Sequence, residues 1–253
     1  MKIVVIGGTG LIGKQVINKL KDKGHDAIAA APSTGINTLT GEGLAAVLKG
    51  ADVVVDVTNS PSFEDRAVLE FFETSTRNIL QTEKDAGVGH HIALSVVGTD
   101  LLPDSGYLRA KLAQEKLIKS SEIPYTIVRA TQFFEFLKGI VESSTVGQTV
   151  HVPSAFIQPI ASEDVVNELV QVILSKPLNS TVEIAGPERF RFSDIIEQYL
   201  KATNDSRKVV SDVDARYFGA KLADTSLVPQ KSSKLGSINF RKWFDGQKKE
   251  LVH

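Results

Sequence analysis

The sequence contains no cysteine, which excludes disulfides, thiol nucleophiles and thiolate metal sites. It has no run of 18 apolar residues, so no helix is predicted to span a membrane. It lacks a basic N-terminal segment followed by an apolar one, so no signal peptide is expected. An excess of charge of one sign is also lacking. The chain has 29 basic and 30 acidic residues, which argues against nucleic acid or a membrane surface as a partner.

These absences favour a soluble cytoplasmic protein. No metal site is expected, because His90 and His91 precede a predicted strand and stand outside any metal-ligand spacing. The 253 residues, 42% of them apolar, are enough for one large α/β domain. The pattern leaves the oligomeric state open, with a homodimer as one alternative.

Residues 1–13, MKIVVIGGTGLIG, are the most informative stretch that is present. An apolar, strand-like run leads into Gly7, Gly8, Gly10 and Gly13, and an amphipathic helical pattern follows at once. Glycine lets the chain turn sharply and lets backbone N–H groups approach a phosphate, whose charge a helix N-terminus favours. Four such glycines directly after a strand predict a dinucleotide-binding turn rather than a purely structural one.

Apolar runs alternate with helical patterns over the first 130 residues. The predicted strands are 3–6, 27–30, 53–57, 91–96 and 125–129, and the predicted helices between them are 11–23, 43–49, 62–85 and 107–120. Ser62 is expected to cap the third helix, with Asp65 completing a capping box. Buried strands joined by helices predict an α/β fold with a doubly wound parallel sheet.

The alternation loosens after residue 130. We predict a single domain over 1–253, with a small substrate-side cap contributed mainly by 131–157 and 186–253. Ser162 is expected to cap a helix in this part of the chain. Lys248-Lys249-Glu250 is expected to form a solvated tail.

The end of the second predicted strand bears on the choice of cofactor. An acidic residue there would bind a ribose diol, but residues 29–35 read AAAPSTG, without a carboxylate or an arginine. The hydroxyls of Ser33 and Thr34 can instead hydrogen-bond a phosphate. We therefore expect NADP, with NAD as the alternative, while a simple turn without a ligand remains the plainer interpretation.

Thr58 and Asn59 follow the third predicted strand. The carboxyl ends of the strands line the ligand crevice in a doubly wound sheet. We therefore expect both residues to contact the cofactor.

Ser95, Tyr107 and Lys111 form a candidate catalytic set. Tyr107 and Lys111 are four residues apart in a predicted helix, so they share a face, and Ser95 ends the preceding strand. A nearby ammonium is expected to lower the pKa of the phenol, which is about 10 in a free tyrosine. The tyrosine can then protonate a carbonyl oxygen as hydride arrives, while the serine hydroxyl holds the same oxygen.

The aromatic segment after residue 131 has two interpretations. Phe133 and Phe134 can line a substrate pocket, with Gln132 as a polar contact, because such pockets are mostly apolar with a few polar groups. Alternatively, the aromatic side chains form the core of the cap.

The chain resembles the short-chain dehydrogenases/reductases of the atypical or extended kind, close to the NmrA-like NAD(P)-binding proteins. The resemblance covers most of residues 1–190. Its matching residues are Gly7-Gly8-Thr9-Gly10-Leu11-Ile12-Gly13, Ser95, Tyr107-Leu108-Arg109-Ala110-Lys111, the segment 123–130 followed by Phe133-Phe134, and Gln158-Pro159-Ile160 with Asp164-Val165.

This resemblance implies a Rossmann-type sheet and a nicotinamide cofactor held at Gly7, Thr9, Gly10, Leu11, Ile12 and Gly13. It also implies Tyr107 as the acid and Lys111 on the nicotinamide ribose. Two features qualify it. The basic residue that NADP-binding members usually carry after the second strand is missing, and the NmrA-like branch includes redox sensors that have lost the tyrosine.

The sequence therefore predicts an oxidoreductase that transfers a hydride between NADPH and a small carbonyl or quinone-like substrate. The alternative is an NmrA-like regulator that senses NAD(P) without turnover. A sugar-nucleotide epimerase ranks below both, because the predicted cap is poor in the arginines that would bind a diphosphate.

Overall fold

The computed structural model describes residues 1–230 and 232–250, with side chains through residue 247 apart from residue 231. The side chains of the predicted tail, Lys248-Lys249-Glu250, therefore lie outside the described part of the structure. The strands are β1 (Lys2–Ile6), β2 (Asp26–Ala30), β3 (Val53–Asp56), β4 (His90–Val96), β5 (Tyr125–Ala130), β6 (Thr145–Val146), β7 (Thr149–Pro153), β8 (Phe156–Ile157), β9 (Ser180–Ala185), β10 (Phe190–Arg191), β11 (Lys208–Asp212) and β12 (Lys234–Leu235). The helices are α1 (Leu11–Asp22), α2 (Leu44–Leu48), α3 (Asp65–Ala86), α4 (Gly106–Ser120), α5 (Leu137–Ser143), α6 (Ser162–Ile173), α7 (Phe192–Ala202) and α8 (Phe240–Glu250), with short 3-10 helices at Pro32–Thr34 and Phe134–Phe136.

Seven strands form a sheet in the order β12-β9-β5-β4-β3-β1-β2, and every adjacent pair in it is parallel. Ile6, the last residue of β1, pairs with Ala30 of β2 and with Asp56 of β3. Because the strands are parallel, their carboxyl ends meet at one edge of the sheet. The expected doubly wound α/β fold is confirmed.

Helices cover both faces of this sheet. On one face, α1 and α6 pack through Val16 and Leu169 onto Ile3 and Val5 of β1. On the other face, α2 and α3 pack onto the neighbouring β1 residues, which point the opposite way. Strands buried on both sides need apolar residues at nearly every position, which explains the continuous apolar run at residues 3–6.

Two predicted helix caps are wrong. Helix α3 begins at Asp65 and is capped by Glu64, whose carboxylate accepts a hydrogen bond of 2.9 Å from the Ala67 amide. Ser62 lies too early to reach the first turn, and its hydroxyl accepts from the Glu64 amide instead. Helix α6 follows Ala161, and the Ser162 hydroxyl donates to Glu135 at 2.7 Å.

A second cluster of buried apolar residues lies beyond the sheet, in the part of the chain predicted to form the cap. It joins α5, α7 and α8 to the small sheet β11-β7-β6, around Phe134, Phe192 and Ile195. Strand β12, within the same predicted range, pairs with β9 and so belongs to the main sheet. Among the described residues, no helix combines the length and the apolar character that crossing a membrane requires.

Candidate functional site

The glycine turn between β1 and α1 is tightly packed against its surroundings. Gly7 has a φ of +79°, a conformation that favours glycine. A Cβ at Gly8 would lie 2.7 Å from the Val5 carbonyl oxygen, and a Cβ at Gly13 would lie 2.4 Å from the Gly7 oxygen. Gly8 and Gly13 are therefore required by the close approach of α1 to the sheet, whether or not a ligand is bound.

Gly10 differs from these glycines. A Cβ there would meet only the Gly7 oxygen, at 3.3 Å, so the protein's own packing barely excludes a side chain. Gly10 precedes α1, offers no side-chain cap, and is followed by a first turn without acidic residues. The amides of residues 11–13 have no acceptor within the helix, because the first turn of any helix leaves its N–H groups free. This end of α1 fits an incoming phosphate.

The other predicted residues of the turn differ in exposure. Thr9 and Leu11 are exposed, whereas Ile12 is buried in the core beneath α1. Ile12 can therefore offer a ligand only its backbone amide. The predicted contacts of all three residues with the cofactor stay predictions.

The loop after β2 forms a 3-10 turn at Pro32–Thr34. The Thr34 hydroxyl accepts from the Ala31 amide and donates to the Ala31 carbonyl, both at 2.9 Å. Thr34 is therefore occupied by the turn itself, as the plainer interpretation of this segment expected. Ser33 is exposed, and its hydroxyl makes no hydrogen bond to any residue that the structure describes. Of the two hydroxyls, that of Ser33 is free to bind a phosphate.

The end of β3 lies beside the glycine turn. A Cβ at Gly7 would come within 3.0 Å of the Val57 carbonyl oxygen. The next residue, Thr58, donates its hydroxyl at 2.7 Å and its amide at 2.9 Å to one oxygen of Asp56. Asn59 is exposed, and its side-chain oxygen accepts from the Ser60 amide. The buried carboxylate of Asp56 thus shapes the loop that was predicted to contact the cofactor.

The same carboxylate connects this loop to Lys111. The side-chain nitrogen of Gln114 donates to the second oxygen of Asp56 at 2.9 Å. The side-chain oxygen of Gln114 accepts a hydrogen bond from the Lys111 ammonium. Lys111 also donates to the Leu94 carbonyl at 2.9 Å and lies 4.5 Å from the centre of the Phe72 ring. Burial lowers the pKa of Lys111 to about 8, although Asp56 and Glu115 oppose this shift. Lys111 is therefore a buried, firmly held ammonium.

Tyr107 lies in the first turn of α4, which begins at Gly106 after the capping hydroxyl of Ser105. Its ring packs among Phe63, Phe72 and Phe218. Burial raises the pKa of Tyr107 to about 12. The expected lowering of this pKa by Lys111 is therefore wrong in this structure, because desolvation outweighs any effect of the ammonium. Among the described residues, none forms a hydrogen bond with the Tyr107 hydroxyl.

Ser95 faces a different set of partners. Its hydroxyl donates at 2.7 Å to Glu115, which also forms two 2.8 Å hydrogen bonds with Arg129. Burial opposes ionisation of Glu115, but the hydrogen bonds from Arg129 and Ser95 lower the pKa of this carboxyl overall. Within the described part of the chain, no hydrogen bond joins Ser95 to Tyr107 or Lys111. Ser95 helps to orient the Glu115–Arg129 pair in this structure and does not meet the phenol.

The predicted substrate residues follow β5. Phe134 is fully buried and stacks on Trp243 with ring centres 5.3 Å apart, so it belongs to the core of the cap. Phe133 is also buried and stacks on Phe136 at 5.3 Å. Gln132 is only 6% exposed, yet neither polar atom of its side chain has a hydrogen-bond partner among the described residues. Its unsatisfied amide fits the predicted role as a polar contact.

Four buried polar residues that organise this edge of the sheet were not among the predicted site residues, namely Asp56, Gln114, Glu115 and Arg129. Asp56 carries a signal that could have been noticed, because a carboxylate that ends a run of three valines is costly to bury without a partner. Gln114 and Glu115 carry no such signal, since polar residues are ordinary on a helix. Their roles arise only when α4 packs on β3 and β4.

Taken together, the residues fit a nicotinamide dinucleotide. The amides at the start of α1 suit the pyrophosphate, and the loops after β2 and β3 border the same edge of the sheet. Lys111, on α4, is connected to the loop beside the glycine turn by hydrogen bonds through Gln114 and Asp56.

Comparison with known protein families identifies the family of this chain. The model of the family described as NAD(P)H-binding matches residues 7–177, which begins at the glycine turn and includes Tyr107 and Lys111. The photosystem II assembly factor Ycf39 of Synechocystis sp. is 21% identical over 230 residues, covering 83% of this chain and 70% of that protein. The chloroplastic divinyl chlorophyllide a 8-vinyl-reductase of Cucumis sativus is 27% identical over 223 residues, covering 73% of this chain and 52% of that protein.

A solved structure extends the comparison to the fold. The triphenylmethane reductase of Citrobacter sp., complexed with NADP(H), superposes with a TM-score of 0.64 at 17% identity, covering 84% of this chain and 79% of that chain. At this identity the likeness shows a shared fold.

Proposed function

The chain belongs to the NAD(P)H-binding family, among the NmrA-like atypical short-chain dehydrogenases/reductases, and from this premise we propose that it is an NADPH-dependent reductase of a small carbonyl or quinone-like substrate. NADH is the alternative cofactor. Relatives named as reductases support the broad class of reaction. The substrate and the role of each residue are part of the proposal.

One observation carries the proposal: the Tyr107 phenol, at the edge where the carboxyl ends of the strands meet, has no hydrogen-bond partner among the described residues. Burial raises the pKa of Tyr107 to about 12, so its proton is present at neutral pH. No described residue accepts that proton. Helix α4 begins at the edge where the carboxyl ends of the parallel strands meet, the edge that also holds the glycine turn. A substrate carbonyl is the acceptor that this phenol lacks.

The chemistry requires a hydride and a proton. The amides at the start of α1 and the loops after β2 and β3 would hold NADPH, which would supply the hydride for the carbonyl carbon. Tyr107 donates the proton to the carbonyl oxygen, so the C=O double bond becomes a C–OH single bond and the phenolate is later reprotonated from solvent. Lys111 lies one turn further along the same face of α4, where Gln114 and the Leu94 carbonyl hold its ammonium.

The remaining residues position these groups. Gln114 and Asp56 hold the Lys111 ammonium and the Thr58 loop in one hydrogen-bonded set. We assign Ser95 a positioning role through Glu115, since its hydroxyl is already donated there. Gln132 supplies the unsatisfied amide on the substrate side.

The test replaces Tyr107 with Phe in purified protein and follows NADPH oxidation with quinones and aldehydes. We expect turnover to fall about 100-fold or more, the usual contribution of a general acid, with NADPH affinity unchanged. The matched control is Tyr125→Phe, which removes a phenol at the start of β5, on the opposite edge of the sheet. Turnover of Tyr107→Phe within a few-fold of wild type would remove Tyr107 from the mechanism.

One comparison favours a second candidate function. One relative, which matches 83% of this chain, is named an assembly factor rather than a reductase. A regulator that binds NAD(P) and a partner protein without turnover is therefore the alternative. Tight NADPH binding, no oxidation with any quinone or aldehyde, and a co-purifying partner would favour it.

A further inference from the structure

The aromatic cluster around Tyr107 includes two rings that the proposed mechanism does not use. Phe63 lies in the loop between β3 and α3, with its ring centre 5.6 Å from that of Tyr107. Phe218 lies between β11 and β12, 5.8 Å from Tyr107 and 5.7 Å from Phe63. The three rings contact one another, although they come from three separate segments of the chain.

Phe218 sits in an unfavourable backbone position. Tyr217 and Ala220 exchange backbone hydrogen bonds of 2.9 and 3.0 Å, which makes residues 217–220 a tight hairpin. The two residues at its tip, Phe218 and Gly219, have φ values of 46° and 83°. Such a tip favours Asn-Gly, because both central residues need a positive φ. A phenylalanine is a poor choice there for the turn itself, so the contacts of its ring must account for it.

Both added rings are half exposed. Phe63 is 53% exposed and Phe218 is 46% exposed, while the Tyr107 ring that they touch is half-buried. Each ring therefore has one side on the cluster and another open to solvent, next to the phenol that lacks a hydrogen-bond partner. Large aromatic faces exposed beside a candidate acid mark a ligand surface more often than a folding core.

The charge around the cluster argues against an anionic substrate. Arg109, on the same turn of α4 as Tyr107, donates at 2.6 Å to Asp65 and at 2.6 Å to the Pro103 carbonyl. Its guanidinium is thus already engaged by the protein. A phosphate or carboxylate would have to compete for it, whereas a neutral ring would not.

We propose that Phe63 and Phe218 form a stacking platform that selects a planar, neutral aromatic or quinonoid substrate and presents its oxygen to Tyr107. This inference rests on the proposed reductase function and narrows its substrate class. Aromatic rings pair favourably in tilted or offset arrangements at centroid separations of about 4.5–7 Å. An aliphatic carbonyl substrate gains no such pairing. The platform therefore favours substrates that carry an aromatic or quinonoid ring over carbonyl compounds without one.

The experiment measures binding and turnover separately. Wild type, Phe218→Asn and Phe63→Leu, each saturated with NADP⁺, are titrated calorimetrically with 2-methyl-1,4-naphthoquinone. NADPH oxidation is then followed with the same quinone and with 2,3-butanedione as a carbonyl without a ring. Asn suits the hairpin tip better than Phe, so Phe218→Asn is expected to fold, and Phe63→Leu tests the platform from the other segment. Leu178→Ala, an exposed apolar residue beside the start of β5, is the matched control.

We expect each platform variant to weaken quinone binding about threefold to tenfold, the usual range for a lost aromatic pair. The kcat/KM for the quinone should fall by a similar factor relative to the kcat/KM for butanedione, while NADP⁺ affinity stays unchanged. Leu178→Ala should match wild type in every measurement.

Two results overturn the platform: no quinone binding to wild type, or binding that is equal in wild type and both variants. If the variants weaken quinone binding but NADPH is never oxidised, the platform stands and the reductase function fails. If NADPH is oxidised and the preference for quinone over butanedione is the same in wild type and the variants, the function stands and the platform fails.

Discussion

The glycine turn and the Tyr107 region are built in opposite ways. The turn is a main-chain structure made by seven consecutive residues, in which Gly8 and Gly13 are required by contacts of less than 3 Å. The Tyr107 region is made of side chains from α3, α4, the loop after β3 and the hairpin at 217–220. One short stretch of sequence specifies the turn, whereas the composite site depends on how several distant segments pack.

The two regions are nevertheless physically joined. Gly7 packs on the Val57 carbonyl, and the adjoining Thr58 is held by Asp56. Asp56 then binds Gln114, which binds Lys111. A change in either region is therefore expected to be felt in the other, and the predictions below ask how strongly.

The largest effect is expected from Gly13→Ala, compared with Gly10→Ala. A Cβ at Gly13 would lie 2.4 Å from backbone, so we expect the free energy of unfolding to fall by about 3 kcal/mol. At Gly10 the closest contact is 3.3 Å, so Gly10→Ala should keep nearly wild-type stability and lose NADPH affinity instead. Urea unfolding and fluorescence titration with NADPH measure the two quantities. Equal loss of stability in both variants would contradict this division of roles.

Gln114→Leu tests the link between the regions. It leaves one buried Asp56 oxygen without a partner and the Lys111 ammonium with only the Leu94 carbonyl, so we expect a loss of about 2 kcal/mol in the free energy of unfolding. The control is Gln81→Leu, an exposed position on α3, which should stay within about 0.5 kcal/mol of wild type. If Gln114→Leu also leaves NADPH affinity intact, the hydrogen bonds between Lys111, Gln114 and Asp56 do not support the loop after β3 that was predicted to contact the cofactor.

Ser33→Asp tests the choice of cofactor at the edge of the turn region. A carboxylate beside a 2′-phosphate is repelled, while it can accept hydrogen bonds from a ribose diol. We expect NADPH affinity to fall about tenfold, or about 1.4 kcal/mol, with NADH affinity unchanged or improved. The control Ser193→Asp places the same charge in the first turn of α7, at a half-buried position. A fall in affinity for both cofactors alike would show that Ser33 does not distinguish them.

The last prediction concerns a pH dependence of stability that comes from Lys111. Its pKa is about 8 in the folded protein against an ordinary value of 10.5, so the unfolded chain binds more protons between these values. The contribution of Lys111 to the free energy of unfolding therefore rises with pH across this window, by at most about 1.4 kcal/mol per pH unit.

Urea unfolding of wild type and Lys111→Met between pH 8 and 10 checks this sign. The stability of wild type should increase relative to the variant as the pH rises. Lys116→Met, an exposed lysine on the same helix, controls for the loss of a surface charge. Parallel pH curves for wild type and Lys111→Met would contradict a desolvated ammonium at this position.

Local features were predictable from the sequence because their signals are local. The run at residues 3–6 and the glycines after it predicted a strand, a tight turn and a helix, and the structure has all three. The helix caps were missed for a related reason. Ser62 and Glu64 both have side chains able to cap α3. Which one does so depends on the residue at which the loop after β3 ends and the helix begins.

The candidate catalytic residues were less predictable. The spacing of Tyr107 and Lys111 placed them correctly on one helix, but the direction of the phenol's pKa shift was wrong, because burial by rings from distant segments is not visible in a spacing. Ser95 was predicted to join them and is engaged by Glu115 instead. Hydrogen bonds of buried side chains are decided by the nearest partner after packing. Glu115 lies 20 residues from Ser95 along the chain, and Gln114 lies 58 residues from Asp56.

The sequence by itself determined the parallel sheet, the glycine turn and the NAD(P)-binding family, since apolar periodicity and glycine spacing act through the backbone over a few residues. Only the tertiary structure decided which hydroxyls are free, which charges are paired and which rings surround Tyr107. These depend on the packing of α3, α4 and the hairpin at 217–220 against one another, and burial then sets whether each group keeps its proton.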